Sequence, residues 1–265
     1  MTRPLPGIQP DRRESRIRYQ QERSLRFGAT IDPIIVQPIM GIRSQLSNPS
    51  CGGQAFAAGI DAVLGIPRLA SAIGIWKDAR RRQGNLLDIM RGIALEFAVE
   101  SLVHYGWRAY VLGEDSQDHS SDDAREDTLA EQLDAYDHRE IGVTHFVPPL
   151  GDLDAVDSAL AQSTTALVFG TSTSTAYSDF RSTPDRPDAV LDLDVIGDGF
   201  TGGHAQRIAA RWFIGGVRQY LVQNSWGPSW GGCHLPDGSW QSGCAWVTED
   251  VIRYSWDIHG LEIRV

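Results

Sequence analysis

Long apolar runs are missing from these 265 residues, and nothing approaches the ~18 consecutive apolar positions of a membrane span. The opening residues Met1-Thr2-Arg3-Pro4-Leu5-Pro6 lack the apolar core of a secretory signal. Positive charge is outweighed: 24 Lys and Arg against 34 Asp and Glu leave a formal charge of −10. That balance argues against a nucleic-acid partner held through phosphates, although a small local basic patch is compatible with it. Cysteine is scarce and odd in number. Of Cys51, Cys233 and Cys244, at least one must stay unpaired in a monomer. No asparagine stands in an Asn-X-Ser/Thr acceptor, since Asn48 precedes Pro49 and Asn85 and Asn224 lack the hydroxyl two positions on. The expectation is a cytoplasmic, reducing setting with no membrane and no nucleic-acid partner. No internal repeat is visible, and no linker cleanly divides the chain.

What is present changes texture along the chain. Residues 1–30 form an N-terminal extension, with proline and arginine up to 13 and a charged stretch from Glu14 to Phe27 that suits a short surface helix. A strand is expected within 30–43, where Ile34, Ile35, Val36, Ile39 and Met40 are broken by prolines. From Cys51 to about Leu64 small and apolar residues predict a helix buried nearly all round, stopped at Gly65-Ile66-Pro67. A second long helix is expected from Leu86 to about Tyr105, ending at Gly106. An acidic loop, Gly113 to Asp127, leads to a charged helix reaching about Tyr136. Beyond it come a short helix at Asp152–Ala161 and strands at Thr164–Gly170, His204–Ile214, Gln219–Asn224, Cys244–Thr248 and Leu261–Val265. Helices first and strands second predict an α+β protein.

Chemistry concentrates at three places. Gln45-Leu46-Ser47-Asn48-Pro49-Ser50-Cys51-Gly52-Gly53 puts a thiol where a helix begins. Unsatisfied N–H groups there favour the thiolate, as a neighbouring imidazolium would. Gly52 and Gly53 would leave room for a substrate backbone. Gly202-Gly203-His204-Ala205 puts an imidazole at a strand's mouth. The other six histidines, among them His145 and His259, read as surface or capping residues. Gln223-Asn224-Ser225-Trp226-Gly227 ends a strand on an amide that could fix the tautomer of an imidazole, with Trp226 as a shield against water.

Together these stretches resemble the papain-like cysteine peptidases. Asn224-Ser225-Trp226-Gly227 with Trp230-Gly231 matches the segment bearing that family's orienting asparagine, and Gln45 stands six positions before Cys51, the family spacing for an oxyanion donor. The resemblance implies a two-lobe fold, with a helical lobe at about 45–140 and an antiparallel β-barrel-like lobe at about 141–265 joined by 31–44. It implies Cys51 as nucleophile, His204 as base, Asn224 as its orienter, and Gln45 with the Cys51 N–H as oxyanion donors. Gly84, in Gln83-Gly84-Asn85, resembles the glycine whose backbone pairs with a bound peptide, and Gly203 is a second substrate-binding candidate. Trp226 takes a supporting role, no metal or cofactor is required, and the partner is a peptide or protein substrate. Gly52 replaces the family's usual aromatic, Gly203 its acidic or amide residue, and the framework cysteines are absent, which resembles a bacterial and phage branch. No prosegment is expected before Gln45. Residues 1–27 are expected to occupy the cleft or bind an assembly partner. Two other readings stay open: an acyl-transferring amidase or ligase using the same pair, and an inactive papain-fold binding or structural protein.

Three weaker signals compete. Gly197-Asp198-Gly199-Phe200-Thr201-Gly202 fits the dinucleotide pattern GxGxxG, which needs a helix next, whereas His204 to Phe213 alternates as a strand does. Cys233-His234 with Cys244 and His259 could hold zinc, but a disulfide across a Gly232–Gly243 hairpin or two free thiols fit the spacing better. The acidic loop lacks the fixed order of an EF-hand.

Overall fold

A computed structural model describes residues 34–84, 92–110, 142–184, 190–194, 202–214 and 216–264. The N-terminal extension, the acidic loop with its charged helix, and positions 197–201 lie outside the described residues. A helix, α1 (Cys51–Leu64), runs through the middle of the molecule and is buried from Cys51 to Ala62. Its apolar circumference follows from having neighbours on opposite sides. Helices α2 (Ala72–Gln83) and α3 (Leu95–Tyr105) flank it, and an antiparallel sheet lies beneath.

Small residues set how closely these layers approach. A Cβ on Gly53 would stand 2.2 Å from the Ala72 carbonyl oxygen, and one on Gly59 would stand 2.6 Å from the Ala166 Cβ in the sheet. A Cβ on Gly52 would meet Ile93 Cδ1 at 2.9 Å. These glycines make room for the protein's own packing, which corrects the expectation that Gly52 and Gly53 open space for a substrate. Phe56, Trp76, Leu95 and Leu102 fill the layer between helices and sheet. Truncating one such aromatic, Phe56→Ala, costs about 3–5 kcal/mol.

The sheet contains β1 (Ile34–Val36), β2 (Gly142–Phe146), β3 (Thr165–Thr173), β4 (Gly202–Ile214), β5 (Val217–Gln223), β8 (Cys244–Thr248) and β9 (Asp257–Arg264). Its order is β2-β9-β3-β4-β5-β8, with β1 also on β4, and every pairing is antiparallel. β2 and β8 stand at the ends of that order, and among the described residues no pairing joins them; the antiparallel β-rich lobe is the one expected. Helices α4 (Leu153–Leu160), α5 (Thr175–Ser178) and α6 (Glu249–Arg253) belong to the other side, where Val156, Leu160, Phe169, Ile208, Tyr220 and Ile252 make a second core. A small hairpin, β6 (Cys233–His234) and β7 (Trp240–Gln241), stands apart.

Several sequence expectations shift. Helix α2 was not foreseen because Lys77-Asp78-Ala79-Arg80-Arg81-Arg82 reads as polar, yet Arg80 is buried with its guanidinium 4.8 Å from the Trp76 ring. Helix α3 begins at Leu95, the part of the expected helix at 86–91 lying outside the described residues, and β9 starts at Asp257 rather than Leu261. Gly202 begins a strand and not a helix, so the dinucleotide reading fails. None of the three cysteines, Cys51, Cys233 and Cys244, is joined in a disulfide. Among the described residues no cluster of three His, Cys, Asp or Glu side chains is arranged for a metal, and no helix is long and apolar enough to cross a membrane.

Two buried charged groups steer the chain toward the site. Arg207 on β4 donates to the Pro38 carbonyl at 2.9 Å, to Gln223 Oε1 at 2.9 Å and to Gln37 Oε1 at 3.0 Å. This fastens the segment after β1 across the sheet, although burial pushes the guanidinium down to about 10. Arg43 then pairs with Asp61 of α1 at 2.6 Å. Asp61 also accepts the N–H groups of Arg68, Leu69 and Ala70, which fixes the turn between α1 and α2. Two residues past the second anchor the chain reaches Gln45.

Candidate active site

Residues 43–45 run beside 225–227. Gln45 N–H donates to the Ser225 carbonyl at 2.7 Å, Gly227 N–H donates to the Arg43 carbonyl at 3.2 Å, and Ser44 bridges Trp226. The Gln45 side chain is buried and held at both ends. Its Oε1 accepts from Ser225 Oγ at 2.6 Å, while its Nε2 donates to the Asn48 carbonyl at 2.9 Å. A primary amide has two N–H donors. One of them is engaged by the Asn48 carbonyl.

His204 lies near the start of β4, in register with Thr171. Its Nε2 is 2.7 Å from Asn224 Oδ1. The Ser225 N–H donates to that same atom at 2.6 Å, so the atom must be the amide oxygen and His204 Nε2 must carry the hydrogen. In the neutral ring Nδ1 is then the basic nitrogen. Trp226 stacks on the imidazole with centroids 4.3 Å apart and planes 28° apart. Burial holds His204 down to about 4, against the upward pull of the bond to Asn224.

Behind Trp226 lies a second aromatic layer, of which the sequence motif contained only Trp230. Trp226 meets Tyr177 and Trp230 edge-on, and Trp230 Nε1 donates to the Tyr177 carbonyl at 2.9 Å. The Tyr177 hydroxyl donates to Gln206 Oε1, two residues along β4 from His204. Tyr177 and Trp230 are fully buried. A lone tyrosine in the hydroxyl-rich stretch after β3 gives no sequence signal for this role.

Cys51 is the first residue of α1. The preceding Ser50 makes no side-chain cap, and the first turn carries no acidic residue. The partial positive charge of that helix end is therefore not neutralised locally, a setting that favours a thiolate. Helix α1 packs on β3 and β4, and Cys51 shares a core cluster with Ala205, the neighbour of His204. A narrow space between α1 and the sheet is lined by Arg43, Gln54, Ala55, Ala205, Asn224 and Ser225. Cys51 and His204 are 1% and 2% exposed, so water is largely kept from both.

The structure thus joins His204, Asn224 and Trp226 directly, and ties Gln45 to them through Ser225. Gly203 is a buried β4 residue paired with Ser172. Gly84 caps α2 in a left-handed conformation, with its N–H on helix carbonyls. The side chains packed against Gly52 are those of Ile93 and Leu95, at the entrance to α3. His145 and His259 were expected at the surface. They stack with centroids 5.1 Å apart and share a 2.9 Å hydrogen bond, His259 being fully buried.

No family sequence profile and no curated protein sequence matches the chain. Solved structures do. Xylellain, a cysteine protease from Xylella fastidiosa, matches with a TM-score of 0.70 at 17% identity over 100% of this chain and 97% of its own. Procathepsin B S9 from Trypanosoma congolense matches with a TM-score of 0.62 at 13% identity over 98% and 87%. The proform of Amb a 11, a ragweed pollen cysteine protease, matches with a TM-score of 0.60 at 16% identity over 95% and 74%. The helix-led half, the antiparallel sheet and these likenesses agree: the chain has the fold of the papain-like cysteine peptidases.

Proposed function

We propose that the chain is a cysteine peptidase acting on a peptide or protein substrate, with Cys51 as nucleophile and His204 as its base and acid. The observation that carries this reading is the bond from His204 Nε2 to Asn224 Oδ1 beneath the Trp226 ring. It leaves Nδ1 as the nitrogen that exchanges a proton with Cys51. The thiolate attacks the carbonyl carbon of the scissile bond, and the negative charge moves to the carbonyl oxygen. The remaining Gln45 Nε2–H and the Cys51 backbone N–H stabilise that oxyanion. As the tetrahedral adduct collapses, the C–N bond breaks and His204 gives its proton to the leaving amine. Water, deprotonated by His204, then attacks the thioester and releases the acid and the thiol.

The substrate-binding candidates are Gly84, at the C-terminal end of α2, and Gly203, beside His204 on β4. Gly203 supports His204 from the strand and contributes no side chain of its own. The test is turnover of a denatured protein substrate by the full chain. Cys51→Ala abolishes product, and a peptidyl epoxide labels Cys51 alone in the unmodified protein. Undiminished cleavage by Cys51→Ala overturns the reading.

A further inference from the structure

Two thiols outside this site lie together at the foot of the β6–β7 hairpin. Cys244 opens β8 and shares its face with Trp246, while Cys233 opens β6. Both belong to one small buried cluster with Ala209, Ala210 and Leu221. Cys233 is bracketed by ties to β8. Gly232 N–H donates to the Cys244 carbonyl at 2.7 Å, and Trp246 Nε1 donates to the His234 carbonyl at 2.9 Å. The thiols are near enough that charge on Cys233 opposes ionisation of Cys244.

We propose that Cys233 and Cys244 are an oxidisable pair that closes into a disulfide across the base of the hairpin. A disulfide there braces the loop that carries Asn224. Asn224 N–H donates to the Gly243 carbonyl at 3.0 Å, and Gly243 N–H donates to the Trp230 carbonyl at 3.1 Å. Both ends of the 224–232 loop therefore hang on residues next to Cys244.

The oxidant is a small-molecule disulfide such as oxidised glutathione. Cys233, 7% exposed against 0% for Cys244, loses its proton and attacks one sulfur of the oxidant. A mixed disulfide forms and one glutathione thiolate leaves. Cys244, deprotonated in turn, attacks the Cys233 sulfur and releases the second glutathione. Two thiols and one disulfide become one protein disulfide and two glutathione thiols. Burial pushes the Cys233 thiol up to about 12, so the exchange is slow and passes through opening of the hairpin.

The experiment uses the full chain as Cys51→Ala, which removes the third thiol and makes the result independent of the peptidase reading. The protein is equilibrated with reduced or oxidised glutathione, quenched with iodoacetamide in denaturant and weighed intact. The expected result is two alkylations after reduced glutathione. After oxidised glutathione none is expected, with a loss of two hydrogens and a peptide pair linked through Cys233 and Cys244. The linked form melts about 5 °C higher, a gain that Cys233→Ser and Cys244→Ser both lack. A chain that stays fully alkylatable overturns the proposal, as does one that carries glutathione on a single cysteine without an internal link.

Discussion

Two buried histidines in one sheet are given partners of different kinds, and the difference separates a candidate base from a structural group. His204 donates to an amide oxygen that also receives a backbone N–H. An amide does not titrate, so the ring keeps one tautomer and Nδ1 stays basic. His259, two strands away on β9, shares its Nδ1 with His145 Nε2, and its Nε2 lies 3.8 Å from the Asp257 carboxylate. There the partners are a second imidazole and a carboxylate, so no fixed amide sets the tautomer. Burial is common to both rings. What marks His204 is an uncharged partner, an aromatic cover in Trp226, and a strand neighbour, Ala205, that lines the same space as Gln54 and Ala55 of α1.

The comparison breaks most visibly in turnover. His204→Ala is expected to lower kcat/KM by about 10³-fold, the range of a lost general acid–base group, together with the stability loss of any buried, hydrogen-bonded ring. His259→Ala is expected to leave kcat/KM within a factor of about 2 while lowering stability. Steady-state kinetics beside thermal melts of the two variants decide it. Equal losses of activity would mean that the two histidines are not different in kind.

Acid sharpens the same contrast. The His204 imidazole sits at about 4 in the folded chain against an ordinary value of 6.5. Between those values the unfolded chain holds a proton that the folded chain refuses, so stability rises with pH. It is fully present above 6.5 and lost as pH falls to 4, by about 3 kcal/mol in total. That applies to the ring without a thiolate, as in Cys51→Ala. In the unmodified protein a Cys51 thiolate facing the ring favours its protonated form and makes the acid loss shallower. Urea midpoints from pH 7 to 4 for the two proteins measure the difference. Superimposable curves would separate Cys51 from His204 and undo the proposed pairing.

Much of this arrangement could be read in the residues, though unevenly. Cys51 at a helix start, His204 at a strand mouth and Asn224 at a strand end were legible because local signals mark them: small residues after 51, alternation after 204, a turn after 224. Gln45 was placed only through the family resemblance of its spacing to Cys51, and its anchoring through Ser225 is a contact between segments 180 residues apart that no local pattern carries. Helix α2 escaped because three consecutive arginines look like solvent, yet Arg80 covers Trp76 and Arg82 reaches Glu100 and Tyr105. Tyr177 escaped for a related reason, since its value lies in what the sheet brings to it. Gly52 was assigned to a substrate because nothing in the sequence places Ile93 on it.

The smallest expected effect tests the structural half of the comparison. A hydrogen bond between two imidazoles needs one N–H and one lone pair, so the His145–His259 contact survives with both rings neutral or one protonated, but not with both charged. His145→Phe keeps a ring on β2 and removes the partner of His259 Nδ1. A partner lost to a buried group costs about 1–2 kcal/mol, to be read as a lower urea midpoint at pH 7 with an unchanged slope. Cleavage of the protein substrate is expected to keep its kcat, because this pair lies on β2 and β9 while the proposed chemistry sits at β4, β5 and α1. A loss of kcat approaching that of His204→Ala, at unchanged stability, would assign the second pair to the chemistry and not to the sheet.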